Sequence, residues 1–169
     1  MNSLLSRSFG RFLILIPIIV GVLFSASAPA AEGIRAGTWQ LVKRQLPDGT
    51  TLTAPDVGGM YTIHPSGIYH LNVFWKTPEG KPVSTSSITQ HKYSETELSV
   101  TRLFGALDDG SGKPVLYGSP SETKRVPVKR EGGRISYQLP FDPPFLVIDG
   151  DKMTATLEGV FVDTWERMK

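Results

Sequence analysis

Few residues in this chain have side chains built for reaction chemistry. There are three histidines, His64, His70 and His91, and no cysteine. Without a thiol there is no thiolate nucleophile and no thiolate metal site. His64 and His70 flank a Pro-Ser-Gly turn. A two-residue turn would pair His64 with Tyr69 and His70 with Ile63, sending the two imidazoles to opposite faces. One residue more or less in the loop would put them on the same face. A metal or haem role therefore stands as the alternative to plain polar strand ends. Asp108/Asp109 and Asp149/Asp151 are paired carboxylates, but both pairs sit in Gly turns, where Asp is expected in any case. The chain has no Gly-x-Ser-x-Gly, no His-Glu-x-x-His and no EF-hand loop. "GALDDGSGKP" is no phosphate loop, since Pro114 follows Lys113 and the spacing is wrong. No catalytic residue, metal ligand or cofactor is assigned.

Aromatic residues are the better lead. Tyr61, Tyr69, Trp75, Tyr93, Phe104 and Tyr137 are spread along the β-like part of the chain. A barrel of about eight strands can hold one small ligand. If these side chains point inward, they line an apolar pocket with hydroxyl tips, suited to a small amphipathic guest. A solid core would use the same residues, and periodicity does not separate the two.

The elements that must position them are strands. No window shows sustained helical periodicity. Six Gly-containing turn signals punctuate the chain: "LPDGTT", "HPSGIY", "TPEGKP", "DDGSGKP", "REGGRI" and "IDGDKM". Glycine supplies the positive φ that tight reversals need. Between the turns lie runs rich in Val, Ile, Thr, Tyr, Phe and Trp. These predict strands over 38–46, 59–64, 68–76, 85–94, 97–104, 123–130, 134–139, 145–148, 152–158 and 160–168. The last two read as a pair, or as one strand bulged at Gly159. Residues 50–57 and 106–121 read as loops, the second long and rich in Gly, Ser and Pro. Short connections imply antiparallel neighbours in chain order. The expectation is an all-β chain forming a single antiparallel up-and-down barrel of about eight to ten strands.

Alternation assigns faces. Tyr69, Leu71, Val73 and Trp75 share one face, Ile68, His70, Asn72 and Phe74 the other. The first face is drier and is expected inside. Leu98, Val100, Arg102 and Phe104 share a face, as do Ile135, Tyr137 and Leu139. "STSSITQHKYS" is polar on both faces, as an edge strand or a strand lining a wet cavity would be.

Residues 1–30 read as a secretory signal: Arg7 and Arg11, then the apolar run "FLILIPIIVGVLF", then Ala28 and Ala30 at an A-x-A site. Cleavage is expected after Ala30, leaving 31–169 as one domain in the periplasm or outside the cell. An uncleaved anchor is the rival, disfavoured because the run is short for a span of about 20 residues and is interrupted by Pro17. No second run is long enough to span a bilayer. The chain holds 18 Lys+Arg and 16 Asp+Glu. The leader carries two arginines and no acid, so residues 31–169 carry sixteen of each sign. Nucleic-acid binding is therefore not indicated. The cluster Lys124, Arg125, Lys129, Arg130 reads as a solvated strand face.

Two ends of the chain carry a resemblance. Gly37-Thr38-Trp39 opens the first strand, and "TWERMK" closes the chain with Arg167. With the "YTIHPSGIY" hairpin, this resembles the lipocalin-like (calycin) barrels, and most of all the small lipocalin-like domains of bacterial exported proteins. The resemblance implies that Trp39 plugs the base of the barrel and that Arg167 lies across its indole. The chain departs from the larger secreted lipocalins in having no cysteines and no clear helix before the last strand. The expected function is non-catalytic binding of a small, mostly apolar molecule. The alternatives are an isomerase or lyase on the same barrel, or an envelope protein acting through its surface.

Overall fold

β-branched and aromatic runs cut by glycine turns leave the backbone one cheap way to satisfy its hydrogen bonds, which is strand against strand. The computed structural model describes residues 36–117, 122–141 and 144–169. The expected signal at 1–30, its cleavage after Ala30 and residues 118–121 of the long loop lie outside the described residues. Among the described residues there is no helix, and thirteen strands follow one another. They are β1 (Gly37–Gln45), β2 (Thr51–Leu52), β3 (Val57–Ile63), β4 (Ile68–Lys76), β5 (Pro82–Tyr93), β6 (Glu97–Asp108), β7 (Val115–Tyr117), β8 (Glu122–Pro127), β9 (Lys129–Glu131), β10 (Arg134–Gln138), β11 (Phe145–Asp149), β12 (Lys152–Leu157) and β13 (Phe161–Arg167).

The sheet is antiparallel and runs β7-β6-β5-β4-β3-β1-β13-β12-β11-β10-β9, with β2 on β1 and β8 on β6. Nearly every neighbour in space is a neighbour in sequence. The exceptions are β1, which takes β3 on one side and β13 on the other, and β8, which lies on β6. β8 and β9 are two halves of one run parted at Val128, whose amide donates to the Thr96 carbonyl at 2.8 Å. β8 pairs with β6 and β9 with β10, so pairing passes from β6 through this run to β10 and the sheet curls into a barrel. The short β2 and β7 are spurs on that ring.

Where the strands decide between open alternatives or differ from expectation, the reason is local. β12 and β13 are separate strands, because Gly159 at φ +70° makes a tight turn that the Val160 amide closes onto Leu157. β6 continues to Asp108, and β7 lies in what read as loop. β5 is no edge strand: β4 and β6 flank it, and its Thr85 and Ser87 face a cavity.

The core lies at the barrel end marked by Trp39, the base. Trp39 is 1% exposed and the Arg167 guanidinium lies 5.5 Å from its ring centroid. Arg167 is held there by Nη2 donating to the Ala36 carbonyl at 2.6 Å. Gly37 makes room for it, since a Cβ at that position would stand 2.6 Å from Arg167 Nε. Above this plug pack Tyr69, His91, Leu98, Val100, Tyr137 and Met153, all buried.

Candidate functional site

Strand parity decides which side chains enter the barrel, and two bulges change it. In β1, Leu41 faces Trp165 and Lys43 faces Thr164, so Val42 is an extra residue. Trp39 and Leu41 point inward before the bulge, and Arg44 points inward after it. A bulge shifts every later side chain by one position. In β6, Thr89 faces Arg102 and Ile88 faces Phe104, so Leu103 is the extra residue. Leu98, Val100 and Arg102 therefore face inward, and so do Gly105 and Leu107 beyond the bulge.

Above the packed base the barrel encloses a cavity of about 390 Å³. It occupies the half of the strands away from Trp39, between the Arg44 end of β1, the Trp75 end of β4 and the Phe161 end of β13. Leu71, Val73, Leu107, Leu146, Ala155 and Trp165 are among its apolar walls. Tyr117 lines it while being 43% exposed, so the cavity reaches the surface there.

Among the described residues, three charged side chains line this cavity: Arg44, Asp163 and Arg102. Arg44 donates through Nε to Asp163 Oδ1 and through Nη2 to Asp163 Oδ2, each at 2.7 Å. Its guanidinium lies 4.1 Å from the Phe161 centroid and 4.8 Å from that of Trp75. The forked geometry suits a carboxylate, and the rings cover the cation's faces. Burial raises the Asp163 carboxyl above its ordinary value, and the bonds from Arg44 offset part of that rise. Arg102 differs. It lies 4.2 Å from the Phe141 centroid and 5.6 Å from that of Tyr117, and no described carboxylate pairs with it.

Of the six aromatic candidates, Tyr61 and Trp75 line the cavity. Tyr69, Tyr93 and Tyr137 pack beneath it. Tyr69 Oη donates to Tyr93 Oη at 3.1 Å, and Tyr93 Oη to Tyr137 Oη at 3.5 Å. Burial pushes all three phenols up, Tyr137 to about 12, so the chain of hydroxyls stays protonated. Phe104 departs from expectation: it is 41% exposed and points outward, because the extra residue Leu103 reverses the alternation just before it.

The histidines come apart. The hairpin has a three-residue loop, with the His64 amide bonded to the Ile68 carbonyl. His64 and His70 thus share a face, and both are exposed on the outside. The His64 ring takes Ser66 as its partner at 2.7 Å. No group of three metal-ligating side chains occurs among the described residues. His91 is buried at 5% exposure, stacked on Tyr69 at 3.6 Å with Nε2 2.9 Å from the Thr89 hydroxyl. Asp108 and Asp109 each accept a backbone amide two residues on, at 2.8 Å, and so serve their turn.

Arg44 and Asp163 were not singled out from the sequence. Asp163 had a readable signal, because alternation places it with Phe161 and Trp165 on one aromatic face. Arg44 had none, because simple alternation from Trp39 turns it outward. No family model matches the chain, no curated protein matches it, and no solved structure matches it.

Proposed function

We propose that this chain is an exported, non-catalytic binding protein of lipocalin-like type that holds one small, mostly apolar molecule in the upper half of its barrel. The observation that carries the reading is the cavity: about 390 Å³, with largely apolar walls and a few polar groups. That lies within the range of small-molecule sites, which use apolar walls for affinity and a few polar groups for orientation. Export rests on Arg7, Arg11, the apolar run and Ala28/Ala30, and N-terminal sequencing of the exported protein should begin at Ala31. Native mass spectrometry of protein purified from its source is the test of binding. A retained small-molecule mass is expected. A bare chain that also leaves Trp fluorescence unchanged across a series of small hydrophobic probes would overturn the reading.

An isomerase or lyase acting on a molecule in the same cavity is the second reading. Asp163 favours it, as a buried carboxyl lining the cavity with a raised pKa. Against it, both carboxylate oxygens are occupied by Arg44. The two readings part on whether a retained molecule comes off changed after incubation with the protein.

A further inference from the structure

Among the described residues that line the cavity, charge is unbalanced, and the imbalance sits on one side chain. Arg44 is neutralised in place by Asp163. Arg102 lines the same cavity; its cross-strand neighbour Glu122 pairs with Lys124 at 3.5 Å, and no described carboxylate forms an ion pair with Arg102. Its guanidinium is positioned by Phe141 and Tyr117 instead. A ring against the face of a guanidinium leaves the N–H edge donors directed sideways, and a planar carboxylate accepts two of them at once. Arg102 is only half-buried, so it needs no counter-ion while the cavity holds water. A guest that fills the cavity removes that water, and a charge left unpaired there would then be costly. A neutral guest would pay that cost, and a guest bearing one anion would not.

We propose that the cavity selects amphiphiles with an apolar body and a single carboxylate head, and that Arg102 reads the head while the Leu71–Trp75 wall takes the body. The proposal rests on the binding reading above and adds the ligand's class. Arg102 is the specificity residue, and Arg44–Asp163 is a fixed, internally neutral part of the wall.

The test compares dodecanoate, dodecanol and dodecyltrimethylammonium, each below its micelle concentration and titrated against the intrinsic Trp fluorescence of the full chain. Dodecanoate should bind at least tenfold more tightly than dodecanol, and the cationic amphiphile more weakly than either. Arg102→Gln should reduce the dodecanoate-to-dodecanol affinity ratio about tenfold, and Arg102→Lys should restore part of it. Lys43→Gln controls for general electrostatics. Lys43 is exposed and faces outward on β1, beside the inward Arg44, so the ratio should hold. Equal affinity for dodecanoate and dodecanol in the unaltered protein would overturn the head-group proposal and keep the carrier. A ratio that survives Arg102→Gln, or collapses equally in Lys43→Gln, would overturn the role of Arg102. Failure of all three probes to bind would count against the carrier reading itself. Far-UV circular dichroism on each variant separates lost selectivity from lost fold.

Discussion

Arg44 and Asp163 are each buried, and each is tolerable only beside the other. Removing one partner leaves a charge or a forked donor without its match, which typically costs about 3–5 kcal/mol. Asp163→Asn should therefore lower the unfolding free energy obtained from urea titration by that much. Replacing both, Arg44→Met with Asp163→Leu, should recover most of the loss, because an apolar pair needs no desolvation. If the single substitution leaves that free energy unchanged, the pair is not the strut it resembles. His91 makes a second residue-scale case. Burial holds its pKa down at about 3, against the ordinary 6.5. Between those values the unfolded chain takes up a proton that the native ring refuses, so stability is full above about pH 6.5 and falls as pH drops toward 3. His91→Phe keeps a ring against Tyr69 and has nothing to titrate. Between pH 7 and pH 5 the unaltered protein should lose about 2 kcal/mol more than this variant. Parallel pH profiles would show that His91 does not drive the acid loss.

At the scale of elements, Gly37 and Arg167 show how one strand end serves another. Arg167 lies where a Gly37 Cβ would be, and so reaches the Trp39 ring. Gly37→Ala should push the guanidinium off the indole at a cost of about 1–3 kcal/mol, the scale of overpacking. In an Arg167→Ala background the same change should cost little, because the clash has gone. Additive losses in that double-mutant cycle would place the cost of Gly37→Ala elsewhere than Arg167. Strands of this kind were largely legible in the sequence. Glycine turns mark their ends and alternation marks their faces, so the Ile68–Lys76 strand and its inward Tyr69, Val73 and Trp75 could be read directly. Bulges were not legible. Val42 and Leu103 are ordinary strand residues, and nothing in their type announces that they stand outside the ladder. That is why Arg44 went unseen and Phe104 was assigned to the wrong face. The hairpin at Pro65–Gly67 stayed open for a similar reason: its face assignment turned on one residue of loop length, which composition does not specify.

The whole barrel divides into two halves with different demands. The base is filled, with Trp39, Tyr69 and Tyr137 each at 2% exposure or less. The upper half keeps the cavity. A filled core loses packing partners on every side when a large ring is removed, whereas a cavity wall has neighbours on only some sides. Tyr137→Ala should thus cost about 3–5 kcal/mol of stability. Trp75→Leu should cost about 1 kcal/mol, chiefly its contact with Arg44. Binding should respond in the opposite order. Trp75→Leu should weaken a dodecyl-chain ligand about tenfold, or about 1.4 kcal/mol, while the mildest substitution at the base, Tyr137→Phe, should leave affinity unchanged. Ligand should also raise the melting temperature of the unaltered protein more than that of Trp75→Leu, since only the native state binds and the shift follows affinity. If Trp75→Leu instead destabilises as much as Tyr137→Ala and leaves ligand affinity alone, the upper half is core like the lower half. The barrel would then have no interior left to carry a guest, and its function would have to lie on the outer surface.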